Sequence, residues 1–351
     1  MRIAPRKRLW PWARGLLRRT SRGIVILLYH RVAEHVPDPQ LLCVSAAHFA
    51  EHLEHLSGHY TLMSQHQVVH ALQRGRIPRK AVAITFDDGY VDNLSIAKPL
   101  LERRGCPATV FVVSGFVGSN RELVSDELER ILLASASLPP ELVLTVAGRT
   151  YSWSLGHTGA QQGRWDVTQE HYPTLRHKCY HGLHRLLRPL DHAGRLQTLA
   201  ELSSWAGNRE PVRRDRLVMN AEEVRGLVAG GLVDVGSHGA SHILLAAQSA
   251  EVQRHEIVAS KTSLESVLGR SVTSLSYPYG GAADFDESTL RFVREAGYES
   301  ACANVAALAT RDSNPFALPR ILVRDWDGDE FSRRLHEAFN PDSVALSAHT
   351  P

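Results

Sequence analysis

The apolar residues of this chain gather in short unbroken runs separated by segments of helical period. Gly23-Ile-Val-Ile-Leu-Leu-Tyr29, Ala81-Val-Ala-Ile-Thr-Phe86, Ala108-Thr-Val-Phe-Val-Val113 and Leu232-Val-Asp-Val-Gly236 are of strand length and rich in β-branched residues. Continuous apolarity, with no alternation, marks strands covered on both faces, as in parallel sheets. Shorter runs of the same kind follow at 273–277, 301–303 and 321–323. Between them lie helical patterns. Ser45–Leu56 carries Phe49, Leu53 and Leu56 on one face, and Asp92 or Asn93 caps a helix that reaches Arg104 and stops at Gly105. Asn220 and Glu223 form a capping-box start for a helix to Val228. Glu251–Leu268, Ser288–Ala296 and a last helix marked by Phe331, Leu335 and Phe339 complete the series. Strand and helix alternate, which predicts an α/β fold built from βαβ units.

The alternation breaks between about residues 119 and 219. Helices are expected at 125–133, 174–187 and 193–205, and residues 142–155 alternate on either side of Gly148 as a hairpin does. This predicts one barrel-like domain over 23–339 with a mainly helical insertion, flanked by tails at 1–22 and 340–351. A chain of 351 residues, 43% hydrophobic and 22% charged, has the core for that.

Charge and cysteine usage change the picture little. The formal net charge of +3 hides a basic start containing Arg2, Arg6, Lys7, Arg8, Arg14, Arg18, Arg19 and Arg22 around Trp10 and Trp12. It reads as a solvated tail, or as a weak contact with a membrane surface through arginines and tryptophans. No run approaches the roughly 20 apolar residues of a membrane span. Cys43, Cys106, Cys179 and Cys302 form no CxxC pair, so a reducing compartment is expected, cytoplasmic and peripheral to the membrane at most. Nothing in this composition points to a nucleic-acid partner.

The chemistry lies at strand ends. The second long run stops in Asp87-Asp88-Gly89, two adjacent carboxylates that repel each other unless a cation or a proton compensates. They could also merely cap the next helix. Ser237-His238-Gly239-Ala240-Ser241-His242 places two histidines four residues apart after another strand, a spacing that lets both imidazoles reach one ion. His30 ends the first strand, either as a site residue or as a simple terminator. Two further histidine sets, His48/His52/His55 and His177/His181/His184, have helical spacing but lie beside apolar stripes. They read as structural or surface residues.

Thr85-Phe86-Asp87-Asp88-Gly89-Tyr90, His238-Gly-Ala-Ser-His242 and Pro278-Tyr279-Gly280 resemble three motifs of the polysaccharide deacetylase family, the NodB-homology domain or carbohydrate esterase family 4. Tyr29-His30 resembles the opening of its circularly permuted subgroup. The resemblance implies an incomplete or distorted (β/α) TIM-like barrel with its site at the C-terminal strand ends. It implies hydrolysis of acetyl groups on N-acetylated sugars of a polysaccharide, glycoconjugate or glycolipid. Asp88, His238 and His242 would hold a divalent metal, with zinc first and cobalt or nickel also suited. Asp87 would be the base, His30 the acid, and the Tyr279 N–H an oxyanion donor with its ring walling the groove; Tyr90 and Trp326 are further aromatics for sugar faces. The third motif's arginine is replaced by Ser276, and Gly239 stands where the second motif has a hydroxyl residue. Arg320 is the candidate to orient Asp87 in that arginine's place, or else a surface residue. A sugar O-acetyl esterase and a sugar-binding relic of the fold are the alternative functions.

Overall fold

Eight short strands, all parallel, carry the fold: β1 (Ile24–Tyr29), β2 (Thr61–Met63), β3 (Ala81–Phe86), β4 (Ala108–Val112), β5 (Val233–Ser237), β6 (Ser274–Ser276), β7 (Ser300–Cys302) and β8 (Ile321–Leu322). They are seen in a computed structural model that describes residues 23–34, 37–156, 165–207 and 211–340. The basic start of the chain, the C-terminal tail and His349 lie outside the described residues.

The sheet runs β7-β6-β5-β4-β3-β1-β8, and β2 also pairs with β3. One edge of β3 is shared, since β2 bonds the level of Ala81–Ala83 and β4 that of Ile84–Phe86. The ends of the sheet meet through a parallel bridge between Cys302 and Leu318, just before β8. The result is a distorted (β/α) barrel. Every residue of β1 and β3 is buried, as their unbroken apolar runs required.

Among the described residues ten α-helices accompany the strands: α1 (Ala46–His59), α2 (Gln65–Arg74), α3 (Lys98–Arg104), α4 (Val124–Glu129), α5 (Leu175–Leu187), α6 (His192–Trp205), α7 (Ala221–Val228), α8 (Ala250–Leu268), α9 (Glu287–Glu295) and α10 (Gly328–Phe339). The capping box at Asn220 and Glu223 and the left-handed stops at Gly105 and Gly269 form where the sequence placed them.

Two local expectations are corrected. The β1–β3 connection holds β2 and α2 in addition to α1; three residues of strand are too few for a periodic signal. Asp92 does not cap a helix. Its own backbone is helical and leads into a π-helical turn at Asn93–Ala97, while its carboxylate is drawn to Arg31 at 2.8 Å and to the Val32 N–H at 3.2 Å.

The barrel strands' outward residues pack with α1, α3, α7, α8 and α9 in one large core. Their inward residues, including Ile24, Ile26, Ala81, Ala83 and Phe111, form a second cluster with Val68 and Leu72 of α2. The region between β4 and β5 has its own apolar centre, built from Leu132, Leu142, Tyr180, Leu183 and Leu199. Its hairpin, Glu141–Val146 with Arg149–Ser154, turns through Ala147 and Gly148, both at positive φ, as a two-residue hairpin loop demands. Charged pairs hold this region together, Arg216 to Asp126 at 3.0 Å and Arg213 to Glu129 at 2.8 Å, and the buried Tyr90 hydroxyl after β3 ties it to the barrel by donating to Asp126 at 2.7 Å.

Candidate active site

β3 ends where its ladder with β1 ends, with the Asp87 N–H on the Tyr29 carbonyl at 2.9 Å. Asp88 and Gly89 then adopt positive φ (72° and 76°), so the chain folds sharply over the sheet edge. A Cβ at Gly89 would stand 2.9 Å from Val112, so this close approach needs glycine. The turn sends the two carboxylates to different partners.

Asp87 points into the barrel, where Arg320 grips it with two parallel bonds: Nη1 to Oδ1 at 2.8 Å and Nη2 to Oδ2 at 2.7 Å. Arg320 is fully buried. It also donates to Ser276 Oγ at 2.7 Å, Thr85 Oγ1 at 3.3 Å and the Ala303 carbonyl at 3.2 Å, and it lies 5.6 Å from the Phe111 ring centre. Ser276 Oγ in turn donates to Asp87 Oδ2 at 3.1 Å. Burial alone would raise the Asp87 carboxyl, but the Arg320 guanidinium, followed by His238, holds it well below the usual carboxylate range. The small Ser276 leaves the interior open for an arginine arriving from the β7–β8 connection.

Asp88 turns toward the histidine loop. Its Oδ1 lies 3.5 Å from His238 Nε2 and 3.3 Å from His242 Nε2, and a ligand atom from each of the three residues lies within 4.8 Å of the others. His238 Nδ1 sits 2.8 Å from the Ser276 carbonyl, which only accepts; the proton is therefore on Nδ1, and the Nε2 lone pair faces Asp88. Asp88 Oδ1 is buried without a hydrogen-bond donor. Burial, then the neighbouring Asp87, push the Asp88 carboxyl well above its ordinary value. A donorless buried oxygen facing two imidazoles fits a divalent cation, and the two-nitrogen, one-oxygen donor set suits zinc, cobalt or nickel.

The loop that carries the histidines is braced by Glu256 of α8. One carboxylate oxygen accepts from the Ala240 N–H at 3.0 Å and the Ser241 N–H at 2.8 Å, and the other from Ser241 Oγ at 2.5 Å. Gly239, at φ 75°, has no hydroxyl to contribute, and Ser241 with Glu256 does that work. The sequence held a signal for Glu256, a carboxylate on the inward face of a helix beside Ile257 and Leu264, both buried.

His30 is half-buried at the end of β1, within electrostatic reach of Asp87, His238 and His242. Its backbone is fixed by Asn93, whose amide donates to the His30 carbonyl at 2.8 Å. Desolvation lowers its pKa to about 4 against the opposing pull of Asp87, so the imidazole rests neutral near pH 7.

Tyr279 adopts φ 64°, and its ring centre lies 5.0 Å from that of His242. No acceptor among the described residues bonds its backbone N–H. Arg188 stacks over the ring at 4.7 Å, and Arg195 reaches the hydroxyl at 3.2 Å. Both arginines come from the inserted region and carried no motif. Tyr90, by contrast, is fully buried under Arg31 and lines no groove. Trp326 is half-buried against Arg334.

Neither helical histidine set enters the site. His48 pairs with Asp325 at 2.7 Å. His52 is buried between the Tyr29 hydroxyl and the Trp326 carbonyl and stacks on Phe331 at 4.0 Å. His177 bonds Thr174 at 2.8 Å, and His184 stacks on Tyr180.

A family model described as polysaccharide deacetylase matches residues 74–135 and 185–301. The chain belongs to the polysaccharide deacetylase family. The gap in that match falls within the inserted region. A Bacillus subtilis relative named as a polysaccharide deacetylase, YxkH, is 20% identical over 300 residues, or 85% of this chain and 70% of that protein. The fold matches Streptococcus pyogenes deacetylase PplD, solved with acetate, at a TM-score of 0.57 and 17% identity, covering 90% of this chain and 99% of that one. IcaB of Ammonifex degensii gives 0.53 at 18% identity, covering 91% and 97%. Family membership makes this protein a hydrolase that deacetylates polysaccharide, in a family that uses metal.

Proposed function

We propose that the protein removes acetyl groups from N-acetylated sugars of a polysaccharide or glycoconjugate, using one divalent metal held by Asp88, His238 and His242. The observation that carries this reading is the pair of imidazole Nε2 atoms facing the donorless Asp88 Oδ1, beside an Asp87 that Arg320 keeps ionised. A bound divalent cation would supply Lewis-acid polarisation of the acyl carbonyl and would acidify water. Asp87 accepts the proton of the attacking water. Arg320 and Ser276 fix its plane, and its Oδ2, 3.8 Å from His238 Nε2, borders the site. The Tyr279 N–H donates to the oxyanion. His30 is placed to hand a proton to the departing nitrogen.

The second reading is sugar O-acetyl esterase, in which an alkoxide leaves with less assistance from His30 than an amine needs. Acetate release from matched N-acetyl and O-acetyl oligosaccharides, with stripped and zinc-reloaded protein, tests both. Amide turnover restored by zinc is the expected result. Release from the ester alone would replace the first reading with the second, and release from neither would contradict both.

A further inference from the structure

Three residues of the site other than glycine, Asp88, His242 and Tyr279, hold positive φ. Such backbone costs of order 1–3 kcal/mol per residue and persists only where neighbours enforce it. Asp88 is held by the Gly89 N–H on the Asp87 carbonyl at 2.9 Å and by the Val113 N–H on its own carbonyl at 3.4 Å. The His242 backbone is held through its carbonyl by Arg195 of α6, in the inserted region. The Tyr279 backbone is held by the Gly280 N–H on the Pro278 carbonyl at 2.7 Å and by the Asn304 amide on its own carbonyl at 3.5 Å, and the same Arg195 fixes its ring through the hydroxyl.

Arg195 is almost fully buried, with 1% of its surface exposed. Nη1 donates to the His242 carbonyl at 2.6 Å, and Nη2 donates to the Tyr279 hydroxyl at 3.2 Å and to the Arg188 carbonyl at 2.6 Å. Nε donates to the Leu187 carbonyl at 3.0 Å. Its charge is thus met by three carbonyls and a phenol, with no carboxylate among those partners. Two of these bonds anchor the guanidinium to the end of α5 and the residue after it, and two reach the site. A rigid planar fork is needed to do both at once, which lysine cannot supply. Arg188 adds a second guanidinium over the Tyr279 ring and is itself held by Asp284 at 2.6 Å.

We infer that Arg195 is a positioning residue for the deacetylase site, holding His242 in ligating geometry and Tyr279 in oxyanion-donating geometry, so that the inserted region is a working part of the active site. This rests on the metal reading of Asp88, His238 and His242. It assigns the insertion a task in the reaction in addition to any part in substrate binding.

The test measures zinc affinity, by competition with a chromophoric chelator, beside kinetics and the unfolding of the metal-free protein. Arg195→Lys and Arg195→Gln should weaken zinc binding by ~10–100-fold, the usual loss when support behind a ligand is removed. They should lower kcat with KM within about twofold, since positioning acts on the transition state. Lysine should recover only part of either loss. A merely structural arginine would lower the unfolding midpoint of the metal-free protein and leave the zinc affinity of the folded fraction unchanged, which overturns the inference. Should neither variant fold, Tyr279→Phe decides. It removes only the hydroxyl bond and should lower kcat while zinc affinity stays; an unchanged kcat overturns the inference. Wild-type protein that binds no zinc would overturn both the metal reading and this inference. Zinc bound equally by wild type and variants overturns the inference alone.

Discussion

Arg320 and Asp87, 233 positions apart in sequence, meet as a two-pronged ion pair inside the barrel, both charges buried and both carboxylate oxygens engaged. A planar carboxylate gripped this way cannot rotate, so its free lone pairs keep a fixed direction. In the proposed mechanism the pair does the work expected of the missing motif arginine, with the guanidinium supplied from the residue before β8. The serine at the old position contributes a hydroxyl to the same network.

Breaking that pair should be costly. Arg320→Met leaves an unmatched buried carboxylate and should lose ~3–5 kcal/mol of stability in urea unfolding. Its activity should also fail at a higher pH than wild type, because Asp87 ionises with difficulty without the guanidinium. Wild-type Asp87 has a lowered pKa, so its contribution is present above the unfolded value of about 3.8 and is lost as pH falls toward the folded one. An unchanged acid limb in the variant would contradict the role given to Arg320.

The two adjacent aspartates should separate in mutation. Asp87→Asn keeps the shape, should retain zinc, and should lose roughly 10²–10⁴ in turnover, the range for a positioned base. Asp88→Asn should lose zinc. Equal zinc loss in both would end this division of labour.

His30→Ala should leave zinc binding and the fold intact and abolish most amide hydrolysis. It should lose less on an acetyl ester with a good leaving group. Full amide activity in this variant would remove His30 from the mechanism.

Acid should weaken the fold through buried histidines outside the metal-ligand set. His52 and His184 are held neutral by burial, with pKa lowered to about 4. The unfolded chain binds their protons from about pH 6.5 downward and the fold does not until about pH 4, so stability falls as pH drops through that window. His52 is the sharper test, since its Nδ1 faces the Tyr29 hydroxyl and its Nε2 the Trp326 carbonyl. His52→Gln should flatten the loss between pH 7 and 5. The same slope in wild type and variant would show that His52 does not carry it.

The readable part of this molecule is the part with local causes. Two-sided burial of β1 and β3 forces unbroken apolar runs, and the chemistry at their ends sits next to them in sequence. Arg320 was readable for a similar reason, as a charge wedged between Pro319 and an apolar strand. Arg195 and the Asp92–Arg31 pair were not. Each is a polar side chain whose partner lies far along the chain, and burial of a polar group leaves no periodic mark. Asp92 even carried a misleading local signal, a cap before a helix, which a nearby buried guanidinium overrode. The strand β2 escaped because three residues show no period.

Zinc stoichiometry tests the central claim most directly. Metal analysis of stripped, reloaded and dialysed protein should give one tightly held zinc per wild-type chain and none in the His238→Ala/His242→Ala double variant, with the metal-free proteins equally folded. Undiminished stoichiometric zinc in the double variant would contradict the site described here.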